Sequence, residues 1–471
     1  MTRKDVVDYL QQLEFQYPVH QWEVGGIHVW PLIKIQTFFI WFNGTQKKRP
    51  KKNDGKGSSL KSYGSSLLAW LRFSLKGRSR VKYFFSGAHS HRVFYGGNEY
   101  NRYFDPIMDY LEGSAEKTLL IEQGQIKPDR NYYKKERVLE LARMYPLARL
   151  MTKLTAPGAD VAATTEVMSC LTKIAQDVPG MTVEILTRKL NAQLTAVRAW
   201  RFLFDRIFEM RRPEYVFGLC YYSPMMYGMN ASAHKKDITS VDMQHGTQGP
   251  LHVAYNNFSK VPERGYEVLP RIFWCWDTHS ADQINSWVSA QRFHQVVTGG
   301  NPWLSLWPGE SRVGRIRILY TLQPIDPLVP ELILAAMKRT HQRYDWRLRM
   351  HPRQHADAGK IRQLLADSGL ADTVTLSDAH SVPLPKSINE SSVHISRFSG
   401  AIIESVLMGV PTVTIDELGV EAFAAEISAG SVHAWTNQDV DGFIALLEKL
   451  ITHSAQPVLT PFEPVMATTF N

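Results

Sequence analysis

Short apolar runs, separated by polar and turn-rich stretches, recur along most of this 471-residue chain. Residues 81–86, 118–121, 215–220, 238–242, 271–276 and 295–298 are apolar, too short for helices and bounded by breakers, and they read as strands. Between them, residues 105–111 carry helical spacing, and 130–212 are mainly helical. A second series starts at 316–320 and continues with strands at 346–350, 374–376, 393–395 and 412–415. Its helices fall at 331–343, 358–368, 401–408 and 438–452. Nearly uninterrupted apolar strands alternating with helices predict parallel sheets covered on both faces. No internal repeat of fixed period is present. A Trp/Pro/Gly/Arg-rich stretch at 303–315 reads as a linker, so two α/β domains, 81–310 and 311–471, are expected to face each other across a cleft. Open α/β sheets bind ligands at the C-terminal ends of their strands, on such a cleft.

The first 80 residues form an expected extension, 1–80. Residues 5–15 carry a helical pattern. Residues 27–42 are rich in aromatics but interrupted by Lys34 and Gln36. Residues 47–59 have the Lys/Gly/Ser composition of a disordered linker. Residues 67–73 open a second amphipathic stretch that runs into Lys76, Arg78 and Arg80.

Charge sharpens this picture. The chain carries +9, but residues 47–82 hold twelve Lys or Arg against Asp54 alone, which is +11 and leaves about −2 for the rest. A near-neutral body with one basic segment argues against nucleic acid and for a local surface contact. Two readings stay open: an interfacial element on an anionic membrane through residues 27–82, or a helix packed on the domain beside a basic loop. No run of about 18 apolar residues and no apolar leader are evident, and Cys170, Cys220 and Cys275 lack paired spacing. A reducing cytoplasm is expected, with peripheral attachment to the inner face of the membrane as an extension of it.

The chemistry-bearing residues fall at strand ends. Arg349-His351-Pro352-Arg353 follows the strand at 346–350. An imidazole there can donate to a phosphate oxygen, with the arginines adding charge; the plain alternative is a solvent loop. Ser396, Ser399 and Gly400 follow 393–395 and open a helix whose free N–H groups would suit an anion, against the alternative of a simple serine cap. Glu404, one turn in, could accept from ribose hydroxyls. Gly409-Val410-Pro411 reads as a helix stop. In the first series, Asp242 and His245, with Gln244 and Gly246, sit at a strand end; Asp242 would act as base or nucleophile. Glu122 holds the analogous place on an earlier strand. Asn301 follows Gly299-Gly300 beside the cleft, and Asp277 reads as a helix cap. No P-loop, GxGxxG, HExxH or GxSxG occurs, and no Asp-x-Asp lies at a strand end, so no metal and no cofactor is expected.

The order Gln244-His245-Gly246, then His351-Pro352, then Ser396/Ser399 resembles that of bacterial capsule and O-antigen transferases of the GT-B class that use CMP-activated sugars, including β-Kdo transferases. The resemblance covers residues 81–455. It implies two Rossmann-like domains, a CMP-sugar donor held by the second-domain motifs, a first-domain carboxylate for the chemistry, and a glycan or glycolipid acceptor. The acidic motif of the sialyltransferase relatives is only half kept, at Glu122-Gln123-Gly124. The alternatives are a CDP-polyol phosphotransferase and a non-catalytic scaffold in polysaccharide assembly.

Overall fold

The protein is described from a computed structural model that covers residues 2–44, 60–75, 80–112, 117–124, 126–127, 129–155, 160–256, 258–307, 315–452 and 457–470. The 47–59 linker and the middle of the 303–315 linker lie outside the described residues.

The first domain is built on β1 (Tyr83–Gly87), followed by an antiparallel hairpin, β2 (Arg92–Tyr95) and β3 (Asn98–Asn101). Then come β4 (Thr118–Glu122), β5 (Val138–Glu140), β6 (Tyr215–Gly218), β7 (Thr239–Met243), β8 (Ile272–Cys275) and β9 (Gln295–Thr298). Apart from the hairpin these form one parallel sheet ordered β5-β4-β1-β6-β7-β8-β9. The second domain holds β10 (Arg317–Thr321), β11 (Asp345–Arg349), β12 (Val374–Ser377), β13 (Val393–Ser396), β14 (Thr412–Thr414) and β15 (Val432–Ala434). Its order, β12-β11-β10-β13-β14-β15, is the doubly wound pattern in which strand order reverses beside the first strand. The first sheet has the same order with one strand added. Both are Rossmann-like, as the alternation of runs predicts, and central strands such as β1 and β13 are buried on both faces.

The hairpin, β5 and β15 were not expected. β5 and β15 are three residues each, too short for periodicity to register, and they are made by pairing to a neighbour. The hairpin did carry a signal. Gly96 and Gly97 both take positive φ, 57° and 80°, which is what a tight primed turn requires.

Residues 3–41 pack into the first domain's core, and this corrects the interfacial reading for the described part of 27–42. The helices Arg3–Gln16 and Trp30–Gly44 bury Leu10, Leu13, Trp30, Ile33 and Phe38 among Tyr227, Tyr255, Phe258 and Trp287. Lys34, which made the stretch look interrupted, is itself buried. Its ammonium lies 2.8 Å from Glu14 and donates to the Asn256 carbonyl at 3.0 Å. Glu14 also accepts from Trp30 Nε1 and from the Ser259 N–H and hydroxyl. A buried charge is tolerable when its partners are this complete. The helix Leu60–Leu75 is different: Ser66, Trp70 and Phe73 face inward, while Leu67, Leu68 and Leu71 are 52%, 56% and 50% exposed.

The chain's end also returns to the first domain, across the boundary expected at 310. The Phe470 ring packs on Trp274 and Phe217, and its carbonyl accepts from the Tyr83 hydroxyl at 2.6 Å. Among the described residues, no helix is long and apolar enough to cross a membrane.

Candidate active site between the two sheets

A cavity of about 340 Å³ opens where the C-terminal edges of the two sheets meet. Arg92, Arg102, His245, Gly246 and His252 line it from the first domain; Arg349, His351, Pro352, His380, Ser399, Gly400 and Glu404 line it from the second. The walls come close: a Cβ on Gly400 would sit 3.3 Å from the Gly246 Cα. Glycine at 400 lets the serine loop approach the backbone of the Gln-His-Gly loop, whereas a Cβ on Gly246 would meet open space.

On the second-domain wall, the His-Pro loop is held by two glutamines outside the expected motifs. Gln354 accepts from the His351 N–H and donates to the Gln323 carbonyl, and Gln323 accepts from the Phe398 N–H at the serine loop. His351 Nδ1 accepts from the Arg353 N–H at 3.1 Å. Burial and the nearby Arg353 and Arg102 depress the imidazole pKa to about 4, so the ring is neutral at pH 7. A neutral imidazole whose Nδ1 accepts carries its proton on Nε2, which makes His351 a donor.

Other expected donor-site residues are placed differently. Arg349 lines the cavity, but its guanidinium donates to the Val382 and Ala379 carbonyls, so it braces the wall. Burial lowers its pKa to about 10, still charged at pH 7. Arg353 is exposed and outside the lining. Ser396 is fully buried, its hydroxyl tied to Thr321 at 2.9 Å, and Thr321 in turn meets His394. It fastens β13 to β10 and does not face the cavity. The helix Ala401–Leu407 offers no free N–H groups at its start: Ala401 donates to Ser399 Oγ, Ile402 to the Ser399 carbonyl, and Ile403 and Glu404 to the Gly400 carbonyl. Gly400 is the N-cap and no side chain caps the helix, so the serine-cap alternative does not hold in its simple form; Ser399 Oγ, just ahead of the helix, accepts from the Ala401 N–H. Ser399, Gly400 and Pro352 do line the cavity, as does Glu404, whose pKa burial raises against the pull of Arg102 and Arg349.

On the first-domain wall, Asp242 is buried and outside the lining. It accepts from Tyr255 Oη at 2.7 Å and from the Tyr221 N–H at 3.0 Å, and burial pushes its pKa up to about 8. This corrects the expectation that it does the chemistry: both carboxylate oxygens are engaged behind the wall. Glu122 is also behind it, in a fully buried ion pair with Arg92 at 2.9 Å. Gln244 is a brace that accepts from Trp276 N–H and donates to the Gly246 carbonyl and Ser280. Asn301 caps the short turn after it by accepting from Trp303 N–H. Asp277 caps the helix Thr278–Val288, as expected. His245 does reach the cavity. Its Nε2 lies 3.0 Å from Cys220 Sγ and 3.4 Å from Tyr222 Oη, and burial lowers its pKa to about 4. Burial raises the Cys220 thiol to about 12, so it stays protonated.

Arg92, Arg102 and His252 were missed. Arg92 opens β2 of the unexpected hairpin, Arg102 follows its β3, and His252 lies in the loop after the Gln-His-Gly motif. Among the lining residues, the guanidinium groups of Arg102 and Arg349 act on the single carboxylate of Glu404, while Arg92 is spent on Glu122, so the cavity keeps a cationic excess that suits an anionic ligand. Among the described residues, no group of three or more His, Cys, Asp or Glu side chains could hold a metal.

No family model matches this chain, and no curated protein matches it either. Similarities are found among solved structures. A UDP-N-acetylglucosamine 2-epimerase is 13% identical over 83% of this chain and 97% of its own, with a TM-score of 0.48. The UDP-GlcNAc 2-epimerase of Neisseria meningitidis, solved with UDP-GlcNAc, is 12% identical over 79% and 92%, with a TM-score of 0.45. MurG of Acinetobacter baumannii is 12% identical over 79% and 91%, with a TM-score of 0.37. Values this low carry nothing about substrate. The fold rests on the two sheet orders themselves: two Rossmann-like domains with their strand C-termini turned onto one shared cleft, which is the GT-B architecture.

Proposed function

We propose that this protein is a glycosyltransferase that moves a sugar from a nucleotide-activated donor to an acceptor hydroxyl in the cleft. The observation that carries the reading is the second-domain wall, where a neutral His351 with its proton on Nε2 and Ser399 both line a cationic cavity at strand C-termini. That arrangement suits a donor phosphate. In the reaction the acceptor oxygen bonds to the anomeric carbon. The bond from that carbon to the phosphate oxygen breaks, and its electron pair leaves with the nucleotide. The acceptor's proton goes to a base. With Asp242 engaged behind the wall, His245 takes that role, because it is neutral and cavity-facing.

The finer reading is a CMP-activated sugar, Kdo or a related acidic sugar, passed to a surface-polysaccharide or lipid-linked glycan at the inner membrane face, without a metal. The motif order Gln244-His245-Gly246, His351-Pro352, Ser399 supports it. A thermal-shift screen across CMP, UDP, GDP and their sugars tests the donor. CMP should stabilise the protein, and His351→Ala should remove the effect. Equal shifts with all three nucleotides would sink the CMP assignment. Turnover lost in His245→Gln but kept in Asp242→Asn supports the assignment of the base.

A further inference from the structure

We propose that Arg102, the residue that follows the β2–β3 hairpin, forms a second oxyanion subsite on the first-domain wall of the cleft and holds an anionic group of the donor. The inference rests on the reading of the cleft as a nucleotide-sugar site. The second-domain wall already offers His351 to one anionic group. The hairpin brings Arg102 to the opposite wall and keeps the Arg92 side chain fully buried in its ion pair with Glu122. Arg92 spends Nε on Glu122 at 2.9 Å and Nη1 on the Glu99 carbonyl at 2.7 Å, while its Nη2 is buried without a partner. Arg102 donates through Nη2 to Tyr103 Oη at 3.0 Å, and its Nε is buried without a partner. Both residues line the cavity.

Of the guanidinium N–H groups of Arg102, one meets Tyr103 Oη, which leaves the rest of the planar fork for a ligand group in the cavity. Register and turn fix the pair in place. Arg92 stands opposite Asn101 across the hairpin, the Arg102 N–H donates to the His91 carbonyl, and the Gly96-Gly97 turn sets that pairing. Arg92 is further clamped over the Tyr132 ring and Arg102 over Tyr103. Glu404 from the other domain is the one carboxylate among the lining residues, and its charge acts on Arg102. The shared chemistry of the ligand group is an oxyanion able to accept from planar guanidinium donors, a carboxylate on the transferred sugar or a phosphoryl oxygen of the donor.

Titration calorimetry on the full chain decides it, with cytidine, CMP and CMP-N-acetylneuraminate, the parallel series uridine, UMP and UDP-glucuronate, and inorganic pyrophosphate. Arg102→Gln should weaken the sugar nucleotide about 10- to 100-fold and leave the nucleoside unchanged, with Arg102→Lys recovering part of the loss. A loss confined to the carboxylated sugar nucleotide assigns the subsite to the sugar; an equal loss for the nucleoside monophosphate assigns it to the phosphate. If Arg102→Gln leaves every affinity unchanged while His351→Ala abolishes binding, the subsite is wrong and the nucleotide site stands. Arg102-dependent binding of pyrophosphate by a protein that binds no nucleotide would retain the subsite and remove the donor reading. Absence of all binding removes both.

Discussion

Asp242→Asn separates a structural carboxyl from a catalytic one. In the folded protein the Asp242 pKa is pushed up to about 8 by burial, against an ordinary value of 3.8. Between those values the unfolded chain is ionised and the folded one is protonated, so the folded state binds more protons. Stability from this group is therefore fully present below about pH 4 and is lost as pH rises through about 8. The slope is about 1.4 kcal/mol per pH unit, so the group costs about 4 kcal/mol between pH 4 and pH 7. Asparagine has the same shape and does not ionise. Its oxygen can accept from the Tyr221 N–H, and its amide can donate to a rotated Tyr255 hydroxyl. The free-energy difference between variant and wild type should thus shift by about 4 kcal/mol in the variant's favour from pH 4 to pH 7. Denaturant unfolding followed by tryptophan fluorescence at half-unit pH steps reads it, with wild type and variant in parallel. Two curves that run parallel with pH would refute the protonated, buried carboxyl. A loss of turnover beyond a thousandfold in a variant of unchanged fold would restore Asp242 to the chemistry.

Lys34→Met should destabilise the protein by about 3–5 kcal/mol in chemical denaturation, because it leaves the Glu14 carboxylate buried without its cation, and adding Glu14→Gln should recover much of the loss. Gly300→Ala should lower the melting temperature and loosen the chain's end, since φ is +70° and a Cβ would stand 1.9 Å from the Thr460 carbonyl; limited proteolysis near residue 460 reads the loosening. Replacing Leu67 and Leu71 by serine should leave the fold intact by circular dichroism, because both are half exposed, yet abolish sedimentation with phosphatidylserine vesicles; unchanged sedimentation removes membrane attachment through this helix.

Most of the scaffold was legible because it follows from local pattern. Apolar runs at 83–87, 215–218 and 393–396 are central strands, and a strand buried on both faces announces itself by composition alone. Strand ends then located the cleft, and His351, Ser399, Gly400, Glu404, His245 and Gly246 do line it. Legibility stopped where a residue's role depends on which way its side chain points. Asp242 and His245 are three residues apart at one strand end, yet one turns into a cage of tyrosines and the other into the cavity. Ser396 and Ser399 divide in the same way, because strand alternation and the exit turn send one hydroxyl to Thr321 and the other to the cleft.

Two parallel α/β domains, the loops that meet between them and the basic segment near residue 60 can all be read along the chain. Each of these is a property of neighbouring residues, their apolar period, breakers and charge. Which polar groups are spent and which are free emerges with the packed fold. It placed Lys34 in the core beside Glu14, tied Arg349 to carbonyls, spent Arg92 on Glu122, and brought Arg102 to the cavity with donors to spare. Partners distant in the chain satisfy or leave open each hydrogen bond, and no local pattern records those partners.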